Sequence, residues 1–267
     1  MPKHISGIDH LVILVADLEA AAQTFTALGF TLSPRGVHSA HMGTANYTIM
    51  LQNDYFELLA PIAETPLNAP MRARLEGGDG LYATALRTDD AAGMYDELVA
   101  AGVGAEPPVS FQRPVDLPDG SVGEAAFKVT RLVEPGTARD QLFGCEQLTR
   151  DTVWLPALMR HANGATGLAA VDAVSNDPAA AAGALSVLFG TTPEVIEGGV
   201  RLMAGEVVIT LTPGGNAPLR LTGMSLAVDD IAKTKGALAA VPFAEGDGAI
   251  SVAPEAAHGV ALTFVAP

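Results

Sequence analysis

Four stretches of the chain share one order of apolar and polar residues, in which an apolar segment of strand type leads to an Asp and then to an Ala-rich segment. They begin at Gly7, Gly80, Gly167 and Gly223. A short apolar or alternating run is typical of a β-strand, whereas apolar residues spaced three or four positions apart are typical of a helix. The pattern therefore predicts four copies of one strand–helix unit.

Helices are predicted over residues 19–28, 90–101, 178–189 and 230–240. Each follows an Asp whose carboxylate can accept hydrogen bonds from the free amide groups of the first helical turn. A Gly or Pro lies just past each predicted end, where helices commonly stop.

Two or three short strands are predicted after each helix, bounded by turn residues such as Gly198 and Gly199. Each unit is then βαβββ, with a length of about 45 to 75 residues and a strongly apolar last strand. A solenoid is the alternative for such repeats. The apolar last strands favour an α+β fold, in which four βαβββ modules form paired, cupped mixed sheets with the helices outside.

Domain boundaries are expected at segments rich in Pro and Gly. One follows the first unit, and a longer connector at 148–166 follows the second. We expect a first domain at 1–150, with modules at 1–62 and 79–150, and a second domain at 165–267, with two shorter and degenerate modules.

Composition limits the partners of this chain of 267 residues. Its 15 basic and 30 acidic residues give a formal net charge of −15, which opposes binding to nucleic acid or to anionic membranes. The first residues lack the parts of a signal peptide, and no apolar run approaches the roughly 18 residues that span a bilayer. The single Cys145 excludes an intramolecular disulfide. We expect a cytoplasmic protein whose partner is a small molecule.

Metal-binding chemistry is indicated in the first module. His10 lies inside an apolar strand and shares a face with Ile8 and Val12 by strand alternation. Glu57 lies inside another apolar strand, where a charged side chain is costly to bury unless it is paired or bound to metal. One imidazole and one carboxylate suit Zn, Mn, Fe or Ni. The alternatives are a core histidine and an exposed strand carboxylate.

Short motifs in the chain resemble those of one family. They are Asp9-His10-Leu11-Val12, Gly43-Thr44-Ala45-Asn46, Tyr55-Phe56-Glu57-Leu58-Leu59 and Ala257-His258-Gly259-Val260. They are similar to glyoxalase-like proteins of the vicinal oxygen chelate superfamily (glyoxalase, bleomycin resistance and extradiol dioxygenase proteins). The resemblance implies a divalent metal bound by His or Gln on first strands and by Glu on last strands. Some members of the superfamily catalyse reactions, whereas others only bind a small molecule, so the fold alone does not choose the reaction.

A third metal ligand is expected on the last strand of the second module. Either Glu146 or Gln147 can supply an oxygen, because alternation lets only one of them face inward. Relatives carry a His at the place of Gln147, so the resemblance favours this residue. The predicted metal ligands are therefore His10, Glu57 and Gln147.

Further residues are predicted to act on the substrate. His41 lies in a turn that contains Gly and can move a proton, so it is a predicted catalytic residue together with Glu57. An amide can orient a carbonyl group, a guanidinium can anchor an anion, and two turn histidines can contact the ligand. The residues predicted to bind substrate are Asn46, Arg113, His161 and His258. For each of these, the alternative is an ordinary turn or loop position.

Two functions are open at this point. The first is a metal-dependent enzyme of the lyase, isomerase or dioxygenase type, which acts on a small oxygen-chelating substrate. The second is a metal-free protein of the same fold that binds or sequesters a small molecule. The main argument for this second function is that Tyr82 or Ala83, rather than a ligand, aligns with His10 in the second module. The enzyme remains the function that we favour. The C-terminal half is expected to buttress the first half, or to supply a wall of the site and a homodimer contact.

Overall fold

The computed structural model describes residues 3–117 and 120–266. These residues form sixteen strands and six α-helices. The strands and four of the helices follow one another as four βαβββ modules, and the other two helices lie between modules. The predicted α+β class, with repeated modules and paired mixed sheets, is confirmed.

The first two modules occupy the N-terminal part of the chain. The first consists of β1 (Gly7–Leu14), α1 (Leu18–Ala27), β2 (Gly36–Val37), β3 (Thr44–Met50) and β4 (Tyr55–Pro61). The helix α2 (Ala69–Leu75) leads to the second module, which consists of β5 (Gly80–Thr88), α3 (Ala91–Ala100), β6 (Val109–Asp116), β7 (Val122–Arg131) and β8 (Leu142–Gln147).

The last two modules follow a short helix, α4 (Arg150–Val153). The third consists of β9 (Ala165–Ser175), α5 (Pro178–Phe189), β10 (Glu194–Ile196), β11 (Gly199–Ala204) and β12 (Val207–Pro213). The fourth consists of β13 (Arg220–Val228), α6 (Ile231–Ala237), β14 (Ala244–Gly246), β15 (Ala249–Val252) and β16 (Ala261–Val265).

The four predicted helices begin within one residue of their expected positions because each has the expected Asp cap. The side chains of Asp17, Asp90, Asp177 and Asp230 all accept hydrogen bonds from amides of the following first turn. The last of the four predicted helices, which is α6, ends at Ala237, three residues before its predicted end.

The strands form two mixed sheets of eight strands each. The first sheet has the order β2-β3-β4-β1-β5-β8-β7-β6, and the second has the order β10-β11-β12-β9-β13-β16-β15-β14. Within the modules, β3 and β4 are antiparallel, whereas β5 and β8 are parallel. All eight residues of β1 are buried, as expected for a strand in the middle of a sheet.

The chain divides into two compact units. Unit 1 contains the chain up to His10 together with Ala83–Val153 and Ala170–Leu221, and unit 2 contains Leu11–Tyr82, Trp154–Ala169 and the chain from Thr222 onward. Unit 1 thus holds most of the second and third modules, and unit 2 most of the first and fourth. The division into domains at 1–150 and 165–267 stays a prediction. Among the described residues, no helix has the length and apolar character that crossing a bilayer requires.

Candidate functional site

A buried carboxylate in unit 1 holds two of the predicted metal ligands. Asp9 and His10 lie in β1 with 1% and 4% of their surface exposed. The Nδ1 atom of His10 lies 2.6 Å from Oδ1 of Asp9, and the amide nitrogen of Gln147 donates a hydrogen bond of 3.0 Å to the same oxygen. The single carboxylate therefore fixes an imidazole from the first module and an amide from the second.

These hydrogen bonds determine which atoms the two ligands present. A ring that donates from Nδ1 to a carboxylate presents Nε2 as a ligand or base, an arrangement typical of metal-binding histidines. The amide that donates its nitrogen to Asp9 presents its oxygen, Oε1 of Gln147. This oxygen and Oδ2 of Asp9 are buried without a hydrogen-bond partner among residues 3–117 and 120–266. Because buried polar atoms are normally hydrogen-bonded, both oxygens point to a bound group.

A thiol completes the cluster. Cys145 lies two residues before Gln147 on β8 and is buried, with its sulfur 3.5 Å from the amide nitrogen of Gln147. Ligand atoms of Asp9, His10 and Cys145 all lie within 4.8 Å of one another. Imidazole nitrogen, thiolate sulfur and carboxylate or amide oxygen are ligands that Zn and neighbouring transition metals accept. The residues of this cluster therefore fit a divalent metal ion.

The sheet face beside this cluster is largely apolar. Cys145 belongs to a buried cluster with Ala85, Ala125 and Phe127, and the ring of Phe143 meets His10 edge-on at 5.5 Å between centroids. We call the four residues beside the thiol the apolar wall: Ala85, Ala125, Phe127 and Phe143.

One guanidinium borders the apolar wall. Arg113 on β6 is half-buried and pairs directly with Ala125 on β7. Residues directly opposite each other in a sheet have their side chains on the same face, so Arg113 lies on the face of the apolar wall. This position is consistent with its predicted role in holding an anionic group, which stays a prediction.

In unit 2, the predicted ligand Glu57 is held by a predicted substrate residue. The side-chain amide of Asn46 donates a hydrogen bond of 2.8 Å to Oε2 of Glu57. Asn46 is 4% exposed, and its Oδ1 is buried with no hydrogen-bond partner in the described part of the chain. Asn46 therefore positions the carboxylate. The assignment of Glu57 to one metal site with His10, and its catalytic role, stay predictions.

His161 is buried in backbone contacts. The amide of Thr31 donates to its Nδ1 at 3.0 Å, and its Nε2 lies 2.9 Å from the carbonyl oxygen of Met50. Burial lowers the pKa of His161, and the charge of Lys233 lowers it further, although the bond to Met50 acts in the opposite direction. The ring is therefore neutral and donates from Nε2. These contacts hold the connector at 148–166 in place. Its role in substrate binding stays a prediction.

The two remaining predicted residues lie in unit 2. His41 is exposed in the turn before β3, and its catalytic role stays a prediction. His258 lies in the loop between β15 and β16, where its ring contacts Asp79 and Thr24.

The sequence left two members of the cluster without a role. Asp9 stands in the motif with His10, and Cys145 was considered only as the single cysteine that excludes an intramolecular disulfide. The signal for Asp9 was available, since an Asp inside an apolar strand needs a partner for its charge. The signal for Cys145 was its position two residues before Gln147, which places both side chains on the same face of the strand.

Comparison with known proteins identifies the class to which this fold and site belong. Residues 8–189 match the family described as "Glyoxalase-like domain", which is more than half of the chain. The chain belongs to this glyoxalase-like family, and the resemblance seen in its sequence motifs is confirmed. No curated protein matches the chain.

Several solved structures share the fold at low sequence identity. A hypothetical protein from Staphylococcus aureus has 13% identity and a TM-score of 0.75, with 97% of this chain and 99% of that chain covered. A variant of 4-hydroxymandelate synthase from Streptomyces coelicolor has 16% identity and a TM-score of 0.59, with 98% and 93% covered. A fusion of a xylose isomerase-like TIM barrel with 4-hydroxyphenylpyruvate dioxygenase has 14% identity and a TM-score of 0.58, with 99% and 50% covered. These similarities show the fold.

Proposed function

We propose that this protein is a metal-dependent enzyme of the lyase, isomerase or dioxygenase type that acts on a small oxygen-chelating substrate. The observation that carries the proposal is the buried carboxylate of Asp9, which holds both His10 and Gln147. A core histidine needs one polar partner, whereas this cluster keeps two further oxygens buried and unpaired among the described residues. The names of two similar structures, a synthase and a dioxygenase, support an enzyme.

In this proposal, His10 and Gln147 hold a divalent ion, with Glu57 as the ligand predicted from sequence. Such an ion, when bound, polarises neighbouring substrate oxygens and stabilises negative charge that develops on them. Asp9 accepts from Nδ1 of His10 and keeps the ring in one tautomer and orientation.

The other residues act on the substrate. The apolar wall excludes water and selects an apolar group, and Arg113 pairs with an anionic group of the substrate. His41 is the predicted proton carrier.

Metal content of two matched histidine variants tests the proposal. His10→Gln removes the ring held by Asp9, and His4→Gln removes a surface histidine whose Nδ1 lies 3.6 Å from the exposed Asp89. We expect the protein and His4→Gln to bind about one equivalent of Zn²⁺ or Co²⁺, and His10→Gln to lose this binding. Equal metal binding by all three proteins would overturn the proposal.

The apolar wall favours a second candidate function, a metal-free protein that binds or sequesters a small molecule. For this function we expect no metal at any loading, together with binding of an apolar fluorescent probe that is weakened in Phe143→Ala. Probe binding unaffected by this substitution would exclude the apolar wall as the binding surface.

We further propose a cytoplasmic location, from the single cysteine, and a homodimer. Sedimentation equilibrium of the full chain tests the homodimer. We expect twice the mass of the chain, and the mass of the monomer would contradict this proposal.

A further inference from the structure

A second carboxylate–imidazole pair lies in unit 2, and its ring also reaches a hydroxyl group. The Nδ1 atom of His258 lies 2.7 Å from Oδ2 of Asp79, and its Nε2 lies 3.1 Å from Oγ1 of Thr24. The other oxygen of Asp79 accepts from the amide of Ala16 at 2.9 Å, which fixes the carboxylate. Carboxylate, imidazole and hydroxyl therefore follow one another within hydrogen-bond distance, which is the order of groups in nucleophilic acyl transfer.

All three residues line one open surface cavity. It has a volume of about 490 Å³, within the range of roughly 300–1,000 Å³ that is typical of small-molecule sites. Its lining consists of Thr24, Asp79, Pro254, Glu255, Ala256, His258 and Gly259.

The loop that carries His258 is held in an uncommon conformation. His258 has a φ of 51°, in the left-handed region that residues with a Cβ rarely adopt, and Gly259 follows with a φ of 78°. The ring stacks on Phe25 with 6.4 Å between centroids. A conformation of this kind persists only where contacts impose it, and such positions cluster at functional sites.

The hydroxyl hydrogen of Thr24 has two possible acceptors. The oxygen lies 3.1 Å from the carbonyl of Ala20, one turn earlier in α1, and 3.1 Å from Nε2 of His258. When Nδ1–H of the neutral ring donates to Asp79, Nε2 is an acceptor and draws the hydroxyl hydrogen. Thr26, on the same helix, donates to the carbonyl of Ala22 at 2.8 Å. Thr26 is therefore a matched reference without the imidazole contact.

We propose that Thr24, His258 and Asp79 form a hydrolytic site for small esters, separate from the proposed metal chemistry. Oγ1 of Thr24 attacks the ester carbonyl carbon while Nε2 of His258 takes the hydroxyl proton. His258 returns this proton to the leaving alcohol as the ester C–O bond breaks, which leaves an acyl ester on Thr24. Water, deprotonated by His258, then attacks the acyl carbon and releases the acid, and the proton goes back to Oγ1. Asp79 accepts from Nδ1 of His258 and holds the ring in place throughout.

The charges of the cavity indicate its substrate class. Glu255 and Asp79 are both in the lining, and none of the lining residues named above is Lys or Arg. An ester with a carboxylate would meet two like charges, so the site fits uncharged or cationic esters.

Hydrolysis of para-nitrophenyl acetate by the full-length protein tests the proposal. Thr24→Val removes the hydroxyl but keeps the side-chain shape, and we expect it to lower kcat/KM by at least about 100-fold, whereas Thr26→Val leaves the rate unchanged. Thr24→Ser keeps a hydroxyl and is expected to retain activity. His258→Asn suits the left-handed backbone but has no imidazole, so it is expected to lose activity.

Further measurements exclude other sources of hydrolysis. We expect a mass increase of one acetyl group on the peptide that contains Thr24, and no effect of a metal chelator on the rate. An anionic ester is expected to react more slowly than the neutral one, and Glu255→Lys should reduce this difference. Equal rates for Thr24→Val and Thr26→Val would overturn the proposal, as would a rate lost on chelation.

Discussion

Two buried or partly buried carboxylate–imidazole pairs, Asp9–His10 and Asp79–His258, have nearly the same contact distance but very different surroundings. Asp9 and His10 are 2.6 Å apart, with 1% and 5% of their side chains exposed, and are neighbours in sequence on one strand. Asp79 and His258 are 2.7 Å apart, with 22% and 17% exposed, and are 179 residues apart in the chain.

The groups around each pair give it different chemistry. The first pair is joined by an amide and a thiol, which are groups that bind metals. The second pair contacts a hydroxyl group and lines a cavity. This arrangement suits proton transfer between the imidazole and a reacting oxygen. An Asp–His contact is therefore insufficient to assign a function. The group that the pair contacts next, an amide and a thiol or a hydroxyl, indicates which chemistry the pair can support.

The largest expected effect on stability comes from removing the buried acid. Asp9→Ala leaves Nδ1 of His10 and the amide of Gln147 without their acceptor, so we expect the free energy of unfolding to fall by about 3–5 kcal/mol. Urea denaturation measures this change. Asp89→Ala, at an exposed carboxylate near His4, is the control and should change stability by less than about 0.5 kcal/mol. A similar small change for Asp9→Ala would show that the first pair is not an integrated buried cluster.

A smaller loss is expected when the loop of the second pair is disturbed. Gly259 has a φ of 78°, and a Cβ there would collide with the carbonyl oxygen of Asp79. Gly259→Ala is therefore expected to cost about 1–3 kcal/mol in urea denaturation and to reduce ester hydrolysis. Gly183→Ala is the control, because its Cβ would meet nothing within 4 Å inside α5. A Gly259→Ala variant with unchanged stability and hydrolysis would show that the loop conformation is unimportant.

A histidine buried without a carboxylate should behave differently from both pairs. The pKa of His161 is lowered in the folded protein, chiefly by burial, so the unfolded chain binds its proton more readily. Its contribution is therefore present above the unfolded pKa of about 6.5 and is lost as the pH falls from there toward the lower folded pKa. We expect stability to fall between pH 7 and pH 5 and this slope to decrease in His161→Asn. An identical pH dependence in both proteins would contradict the assignment of a neutral ring.

The smallest stability effect is expected at the acid of the second pair. Asp79→Asn keeps the side-chain shape at a partly exposed pair, so stability should change by less than about 1 kcal/mol. Ester hydrolysis should nevertheless fall strongly, because the amide cannot hold the ring in the required tautomer. Stability and hydrolysis that fall together would indicate a structural role for Asp79.

The helices could be predicted from the sequence because their signals are local. An Asp cap and apolar residues at helical spacing lie within one window, and α5 was predicted at its observed bounds of 178–189. The helix α2 was missed because Pro and Gly around it indicated a linker. Asn68 instead packs this segment by donating to the carbonyls of Met42, Gly43 and Ala63, which are contacts that no local pattern contains.

The candidate sites could be predicted only in part. His10 and Gln147 are predicted metal ligands, and the structure brings them to one carboxylate. This common partner, Asp9, was missed because strand alternation predicts which face a residue is on, but not which neighbouring residues share a hydrogen bond. His258 was identified as a turn residue, whereas its partners Asp79 and Thr24 are distant in sequence and come together only in the fold.

Zinc affinity of the protein and of Asp9→Asn tests the central claim most directly, namely that one buried carboxylate positions His10 and Gln147 for a metal ion. The substitution keeps the shape of the side chain, and circular dichroism confirms that the variant is folded. Competition titration with a chelating dye should show binding weakened by about 10- to 100-fold, as for other partners of metal-binding histidines. Equal affinity in both folded proteins, or no binding by either, would contradict the claim.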